Sequence, residues 1–281
     1  MVLHGLNAIL NGKPLGGVVN LSPPTALITG ASGGIGYELA KLFAKDHHNL
    51  VLVARNGPRL EQVGNELERQ FGITVRTAAL DLGAPAAPQS LFAELRRERV
   101  AVHILVNNAG YGRFGEFAEV GLEESVGQIQ LNVTALTCLT KLFLGPMLER
   151  GSGKIMNVAS TAGFQPGPLM AVYYATKAYV ISFSEALANE LAGKGLTVTC
   201  LCPGATETSF AGRAGNDQSR LFKKLRPMDA KTVARAGYQG LLKGRTIVIP
   251  GFRNWLVVES LRISPRKVVT AVSRWVSEKA E

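Results

Sequence analysis

The chain has 281 residues, 46% of them apolar and 19% charged, which is enough to bury the core of one large α/β domain. This balance excludes a disordered protein and a disulfide-dense scaffold. The 31 basic and 21 acidic residues give a formal net charge of +10. The basic residues are scattered without interleaved aromatic residues, which argues against a nucleic-acid partner.

Residues 1–23 are predicted to be an extension that precedes the folded domain. This segment is mildly apolar but has no basic region at its start, which argues against a signal peptide. No uninterrupted apolar run in the chain reaches the length of a transmembrane helix. We therefore expect a cytoplasmic protein.

Short β-rich runs alternate with segments of helical period from Pro24 onward. Such alternation predicts parallel strands joined by crossover helices, and strands that are apolar throughout indicate a sheet covered on both faces. The sequence therefore predicts a single doubly wound α/β domain, a Rossmann fold, over residues 24–250. The predicted strands are 25–29, 49–54, 74–79, 103–107, 154–159, 197–202 and 246–249, with helices from about 35 and at 60–71.

A glycine-rich turn, TGASGGIG at residues 29–36, follows the first predicted strand and leads into a helix. Glycines let the backbone approach a pyrophosphate closely, and the free N–H groups and dipole of a helix N-terminus hold that anion. A tight turn without a ligand is the alternative. A strand before and a helix after the turn favour dinucleotide binding.

The end of the second predicted strand bears on the choice of dinucleotide. An NAD-binding protein usually has an acidic residue here for the ribose 2′-hydroxyl, but this chain has Arg55. A guanidinium matches phosphate geometry, so Arg55 favours NADP(H); a solvated surface arginine is the alternative.

Tyr173 and Lys177 lie four residues apart on a predicted helix and therefore share a face. A tyrosine has an ordinary pKa of about 10, and a nearby ammonium favours its phenolate. Such a pair can act as an acid and base, although the same spacing on a helix surface is common by chance.

Further motifs accompany this pair in a fixed order. They are Asp81 after the third strand, Asn107-Asn108-Ala109-Gly110 after the fourth, Asn132 in the next helix, Ser160 at a strand end and Pro203-Gly204. With the glycine turn and the Tyr-x-x-x-Lys pair, they make residues 25–249 resemble the short-chain dehydrogenase/reductase family.

The resemblance implies a role for each catalytic position. Ser160 would polarise the substrate oxygen, Tyr173 would deliver the proton, and Lys177 would lower the tyrosine pKa and bind the nicotinamide ribose. Asn132 would support a water-linked proton path. Ser160 as a helix cap and Asn132 as an ordinary helix amide are the alternatives. Tyr174 lies three residues before Lys177 instead of four, so its side chain should point in a different direction from that of Tyr173. We expect it to pack in the protein interior or to face the substrate cleft.

The cofactor contacts implied by the resemblance spread over several loops. The Thr206 backbone and the Thr208 hydroxyl would meet the nicotinamide carboxamide, while the residues of the glycine turn would meet the pyrophosphate. The full set is Gly30, Ser32, Gly33, Ile35, Gly36, Arg55, Asp81, Leu82, Asn107, Ala109, Tyr173, Lys177, Thr206 and Thr208.

Two segments lie outside this pattern of strands and helices. Residues 205–226 lack clean periodicity and are predicted to form a mobile loop that closes over the product cleft. Residues 251–281 are predicted to be a basic amphipathic helical tail, with two helices separated at Ser264-Pro265. We expect its apolar stripe to pack on the domain or on a partner subunit in preference to an anionic membrane.

The resulting hypothesis is an NADP(H)-dependent oxidoreductase that moves a hydride between nicotinamide and a ketone, aldehyde or alcohol, with Tyr173 as general acid and base. A catalytically idle NADPH-binding redox sensor and a membrane-associated scaffold remain alternatives. The family analogy suggests a homodimer or homotetramer built on the helices that carry Asn132 and Tyr173. Cys138, Cys200 and Cys202 form no CxxC and have no histidine nearby, so neither a metal site nor a disulfide is expected.

Overall fold

A seven-stranded parallel sheet forms the centre of the computed structural model, which describes residues 23–223 and 227–278. The strand order is β3-β2-β1-β4-β5-β6-β9, and every neighbouring pair is parallel. The strands are β1 Thr25–Thr29, β2 Asn49–Ala54, β3 Val75–Ala79, β4 Val102–Asn107, β5 Gly153–Val158, β6 Leu196–Leu201 and β9 Ile247–Val248. This is the predicted doubly wound α/β architecture.

Helices cover both faces of the sheet because its strands are apolar on both faces. In β1, Ala26 and Ile28 pack with α1, α2 and α9, whereas Leu27 between them packs with α3, α5 and α6 on the opposite face. The helices are α1 Gly34–Lys45, α2 Gly57–Phe71, α3 Ala87–Arg97, α4 Leu122–Ile129, α5 Leu136–Arg150, α6 Ala171–Glu190, α7 Phe210–Ala214, α8 Arg220–Lys223, α9 Ala230–Leu242, α10 Phe252–Leu261 and α11 Arg266–Ser277.

The chain reverses its direction of travel across the sheet between β1 and β4. From β1 it moves outward to β2 and β3, and it then returns to place β4 on the other side of β1. In open α/β sheets such a switch point leaves a crevice at the carboxyl ends of the strands, where ligands bind. The glycine turn after β1 and the Asn107-Asn108 motif of β4 meet at this crevice.

The predicted strands agree with the structure to within one residue at each end. β1 and β2 have the predicted bounds, and β9 is shorter than predicted because only Cys200 and Leu201 of β6 pair with it. The predicted loop 205–226 contains short elements: α7, α8 and the strand β7, Thr206–Glu207, which pairs with β8, Met228–Asp229.

A continuous helical stretch runs from Leu122 to Arg150, through α4, a π-helical turn at Gln130–Ala135 and α5. By length and hydropathy this stretch is a candidate membrane span, although no uninterrupted apolar run in the sequence predicts one. Leu139, Phe143 and Met147 on it are almost fully buried in the core beside the sheet. The α5 half of the stretch therefore has the apolar character of a core helix, whereas Val126 and Ile129 on α4 are exposed.

The two tail helices, α10 and α11, are separated at Pro265, as predicted. Their packing differs from the expectation. Val268, Val272 and Trp275 on α11 are 54%, 54% and 55% exposed. These three side chains of the stripe do not pack on the domain, so that part of the expectation is wrong, and contact with a partner subunit stays a prediction.

A buried polar network links four elements, β4, β5, α5 and α6. The Asn107 amide nitrogen donates to Thr140 Oγ1 at 3.0 Å and to Asn157 Oδ1 at 2.9 Å. Asn157 Nδ2 donates in turn to Ser184 Oγ at 2.9 Å, and Ser184 Oγ donates to the Val180 carbonyl at 2.6 Å. These hydrogen bonds join β4, β5, α5 and α6, while Asn107 Oδ1 is buried without a hydrogen-bond partner among the described residues.

Replacing Asn157 with Ala removes a donor and an acceptor from this network and leaves buried partners unsatisfied. We expect the free energy of unfolding, measured by urea titration, to fall by about 3 kcal/mol. Thr199 on the neighbouring strand is the matched control, because its buried hydroxyl has no hydrogen-bond partner among the described residues. Thr199→Val is expected to be neutral or stabilising. An equal decrease in the free energy of unfolding in both variants would contradict a stabilising role of the network.

Candidate active site

The glycine turn is shaped by close backbone contacts. A Cβ at Gly36 would lie 2.4 Å from the Gly30 carbonyl oxygen, and Gly30 itself has a φ of +67°. Only glycine suits both positions. The helix that follows, α1, has Gly33 as its N-cap, with no side-chain hydrogen bond to the first turn. Its free N–H groups and positive dipole end fit a pyrophosphate.

Thr29 joins this turn to the end of β4. Its buried hydroxyl oxygen accepts hydrogen bonds from the backbone N–H groups of Asn108 and Ala109, each at 2.9 Å. The Asn108 side-chain amide donates a hydrogen bond to the Thr29 carbonyl at 2.8 Å. Sequence reasoning gave neither Thr29 nor Asn108 a role of its own, although both stand within the motifs that it used.

The adenosine end of the crevice carries one cation and one anion. Arg55 follows β2 and is 64% exposed, with its guanidinium 3.9 Å from the carboxylate of Asp81. The family resemblance also implies that Asp81 and Leu82 flank the adenine and Asn107 the adenosine ribose. The side chains of Leu82 and Asn107 are buried and line a small cavity with Thr29 and Ala109.

Tyr173 lies near the start of α6 and is 9% exposed. Burial raises the pKa of its phenol, the facing hydroxyl of Ser160 lowers it, and Tyr174 raises it further. Ser160 also caps the short 3₁₀ turn that follows β5, because its oxygen accepts from Ala162 N at 3.1 Å. The Ser160 hydroxyl donates to the Pro203 carbonyl at 3.2 Å, so the capping role is confirmed and the catalytic role stays a prediction.

Lys177 is buried one turn after Tyr173. Burial lowers the pKa of Lys177 to about 8, and the nearby Cys200 and Cys202 thiols oppose that shift. Its ammonium donates to the Val158 carbonyl at 2.7 Å and lies 5.7 Å from the centre of the Tyr173 ring. The Ser160 hydroxyl lowers the tyrosine pKa, and the effect that the family resemblance implies for Lys177 stays a prediction.

Asn132 is buried within the π-helical turn between α4 and α5. Its Oδ1 accepts from Tyr111 N at 3.0 Å, and its Nδ2 donates to Tyr111 O at 2.8 Å and to Thr176 Oγ1 at 3.1 Å. A Cβ at Gly110 would lie 2.9 Å from Asn132 Oδ1 and 3.5 Å from Lys177 Nζ. The π-turn therefore brings Asn132 close to the buried lysine, as π-bulges often do at functional sites.

The loop after β6 returns to the glycine turn. A Cβ at Gly34 would lie 3.0 Å from the Thr208 Cγ2 methyl group, so Thr208 stands directly over the start of α1. Thr206 donates to the Gly204 carbonyl at 3.0 Å, and Thr208 Oγ1 accepts from Phe210 N at 3.1 Å. Of the two residues predicted to meet the nicotinamide, Thr208 therefore lies next to the glycine turn.

Apolar side chains enclose the phenol on the substrate side. Phe210 packs against Tyr173 with ring centres 5.2 Å apart, and Phe114, Met170 and Ala214 belong to the same cluster. Tyr174 points toward α11, where the hydroxyls of Ser277 and Ser273 lie beside its phenol. Burial raises the pKa of this phenol, and the two serine hydroxyls lower it. Tyr174 therefore contacts the tail, which agrees with its expected packing role.

Within residues 23–223 and 227–278, no cluster of three histidine, cysteine or acidic side chains is placed to hold a metal ion. Cys200 and Cys202 are buried free thiols with their sulfur atoms 3.6 Å apart. Besides Arg55 and Asp81, the polar groups at the crevice are hydroxyls, amides, one ammonium and backbone N–H groups. Such groups suit an organic anion and a carbonyl oxygen.

Comparisons with known proteins agree with this geometry. A sulfoacetaldehyde reductase 2 of Chromohalobacter salexigens is 37% identical over 214 residues, 74% of this chain and 84% of that protein. A very-long-chain 3-oxoacyl-CoA reductase of Mus musculus is 34% identical over 190 residues, 66% of this chain and 60% of that protein.

Among solved structures, a short-chain dehydrogenase from Sphingobium yanoikuyae in complex with NADPH is 36% identical, with a TM-score of 0.77. The match covers 85% of this chain and 94% of that one. The family model described as short chain dehydrogenase matches residues 24–219. The chain therefore belongs to the short-chain dehydrogenase family, whose members are oxidoreductases that use a nicotinamide cofactor.

Proposed function

We propose that this protein is an NADPH-dependent reductase of ketones or aldehydes, reversible in principle, with Tyr173 as its general acid and base. The observation that carries the proposal is the buried phenol of Tyr173, faced by the Ser160 hydroxyl. The complete set of Ser160, Tyr173 and Lys177 also argues against a catalytically idle NADPH sensor.

The glycine turn and the free N-terminus of α1 would hold the pyrophosphate of the cofactor. Arg55 would contact a 2′-phosphate, because its guanidinium is exposed at the end of β2. When bound, the dinucleotide supplies the hydride. The relative in complex with NADPH supports the same preference.

Proton delivery follows from the protonation state of Tyr173. Since burial raises its pKa, the phenol is neutral at physiological pH and can give a proton to the substrate oxygen. The Ser160 hydroxyl would polarise the same oxygen. Lys177 would hold the nicotinamide ribose, and Asn132 would support a water-linked path that returns the proton to Tyr173.

The surroundings of Tyr173 favour an apolar carbonyl substrate. Phe114, Met170 and Phe210 form the wall beside the phenol, and a long-chain or bulky ketone would bury apolar surface there. The 3-oxoacyl-CoA reductase relative makes 3-oxoacyl thioesters the first class to assay.

A homo-oligomer built on α4 and α6 is part of the proposal. Val126 and Ile129 on α4 and Tyr179 on α6 are exposed by 43%, 44% and 38%. Apolar side chains at this spacing suit contact with a second copy.

The acid role predicts that Tyr173→Phe lowers kcat for NADPH-dependent ketone reduction about 1000-fold, because the proton donor is lost. Tyr174→Phe is the matched control: its hydroxyl faces α11, so kcat should remain nearly unchanged. Steady-state kinetics with a panel of 3-oxoacyl thioesters and ketones measure both. Full activity of the Tyr173 variant would overturn the mechanism.

The role of Arg55 predicts that Arg55→Ala raises the Kd for NADPH about 30-fold and leaves the Kd for NADH unchanged, because only NADPH carries the 2′-phosphate. Arg69→Ala, an exposed arginine at the far end of α2, is the control. Titration of nucleotide fluorescence gives both constants. An equal rise in the Kd for NADPH and in the Kd for NADH would rule out a specific phosphate contact.

Lys177 should make stability depend on pH. Its pKa in the folded state is about 8, against an ordinary value of 10.5, so between these values the unfolded chain binds more protons and stability rises with pH. Lys177→Met should therefore be more stable than the parent at pH 7 by about 2 kcal/mol, and this advantage should shrink toward pH 10.

Urea unfolding at several pH values measures this difference. Lys194→Met, at an exposed lysine, serves as the control and should show no such trend. A difference between Lys177→Met and the parent that stays constant from pH 7 to pH 10 would contradict a buried ammonium at Lys177.

A further inference from the structure

The tail helices α10 and α11 present a large apolar surface that faces away from the domain. We call this the tail surface. Its members are each at least 45% exposed: Phe252, Trp255, Leu256, Val257, Ile263, Val268, Val272 and Trp275. Soluble monomers rarely expose so many large apolar side chains on one segment of chain, and such surfaces usually mark an interaction site.

Helix α11 packs on the protein through one valine and two serines. These buried positions are Val269, Ser273 and Ser277, at intervals of four residues, and Ser273 and Ser277 lie beside the Tyr174 hydroxyl. On a helical wheel, Val268, Val272 and Trp275 share a different face, which is exposed. Most of the apolar area of this helix therefore points outward, whereas the apolar face of an ordinary surface helix packs inward.

Specific contacts hold α11 in this orientation. Arg220 donates to the Trp275 carbonyl at 2.9 Å and to the Glu278 carboxylate at 3.0 Å. Arg274 pairs with Glu116 at 3.1 Å, which ties the other side of the helix to the loop before α4. The outward apolar face is therefore part of the packed structure.

The charges around the tail surface are mainly positive. Residues 252–278 contain five basic side chains and two acidic ones. Both acidic groups are engaged, since Glu259 pairs with Arg262 and Glu278 pairs with Arg220. The exposed basic residues Arg253, Arg266 and Lys267 have no ion-pair partner among the described residues.

We propose that the tail surface docks the protein on an anionic lipid membrane, with the apolar side chains of α10 and α11 at the boundary between headgroups and acyl chains. Basic side chains beside an apolar face with two tryptophans have the chemistry of a helix that lies in that boundary. Each cation near an anionic surface strengthens binding about fivefold.

Two other candidates for covering the tail surface, a second copy of the chain and residues 1–22, do not complement its positive charge. A second copy in a symmetric contact would bring the basic residues of one tail against those of the other, and like charges disfavour such pairing. Residues 1–22 of the chain contain Lys13 and no acidic residue, so they offer no charge complement either. An anionic surface complements both the apolar and the basic character of the tail.

Docking through α11 would bring the proposed active site close to the membrane. Its inner face lies on Tyr174, the neighbour of Tyr173 on α6, so a docked tail would hold the substrate side of the crevice close to the lipid. The inference does not depend on which carbonyl is reduced: vesicle binding can fail while reductase activity is retained, and the reverse also holds.

The two tryptophans make the test direct, because Trp255 and Trp275 are the only ones in the chain and both belong to the tail surface. The full chain is titrated at low salt with phosphatidylcholine vesicles, with and without phosphatidylglycerol. The anionic vesicles should shift the tryptophan emission to the blue, and lipids brominated on their acyl chains should quench it. Neutral vesicles should bind far more weakly.

Matched variants separate the charge from the apolar contact. Arg266→Glu with Lys267→Glu should weaken binding to anionic vesicles at least about 25-fold, whereas Arg97→Glu on α3 should not change it. Val272→Gln should weaken it about tenfold, whereas Leu242→Gln, at a comparably exposed site on α9, should not. Circular dichroism checks that every variant is folded.

Several results would overturn the proposal. One is an unchanged tryptophan emission with anionic vesicles while the protein remains folded. Another is a blue shift that grows with protein concentration without lipid, together with a dimer in sedimentation that Val272→Gln dissociates; the tail surface would then be an interface between copies. A red shift on deletion of residues 1–22 would instead show that this segment covers it.

Discussion

The hydrogen bonds that Thr29 makes to the chain after β4 hold the two halves of the crevice together. The Thr29 oxygen accepts from Asn108 N and Ala109 N at the point where the strand order reverses. Because both N–H groups end a buried strand, they need a protein acceptor there. This contact aligns the glycine turn, which fits a pyrophosphate, with the loop that leads to Asn132 and Lys177. The rest of the site depends on that alignment.

Burial shifts the pKa values of the proposed catalytic groups. Tyr173 and Lys177 are both enclosed, and burial acts on them in opposite directions: it raises the pKa of the phenol and lowers that of the ammonium to about 8. A neutral phenol beside the Ser160 hydroxyl suits proton donation. The lowered pKa of Lys177 leads us to expect that this lysine destabilises the fold at neutral pH.

The tail connects the catalytic helix to the outer surface of the protein. Tyr174 contacts the inner face of α11, while the opposite face of the same helix is apolar and exposed. The adjacent tyrosines Tyr173 and Tyr174 thus serve different purposes. One faces the predicted chemistry, and the other anchors the element that we propose to dock on lipid.

The sequence by itself determined the parallel sheet, the bounds of β1 and β2, and the residues that converge at the crevice. Apolar runs of strand length and glycines at a strand-to-helix turn are local signals, so they can be read without a structure. It missed the positioning role of Thr29, because a threonine at a strand end has many possible partners. It also missed the side-chain burial of Asn107 and Leu82.

Only the tertiary structure decided the direction of each side chain and of each helix face. The apolar stripe of α11 was legible in the sequence, but periodicity shows that a helix has an apolar face without showing where that face points. Contacts made by distant residues, Arg220 and Tyr174 among them, turn the face outward. The same holds for the pKa of Lys177, which depends on burial beneath elements far away in the chain.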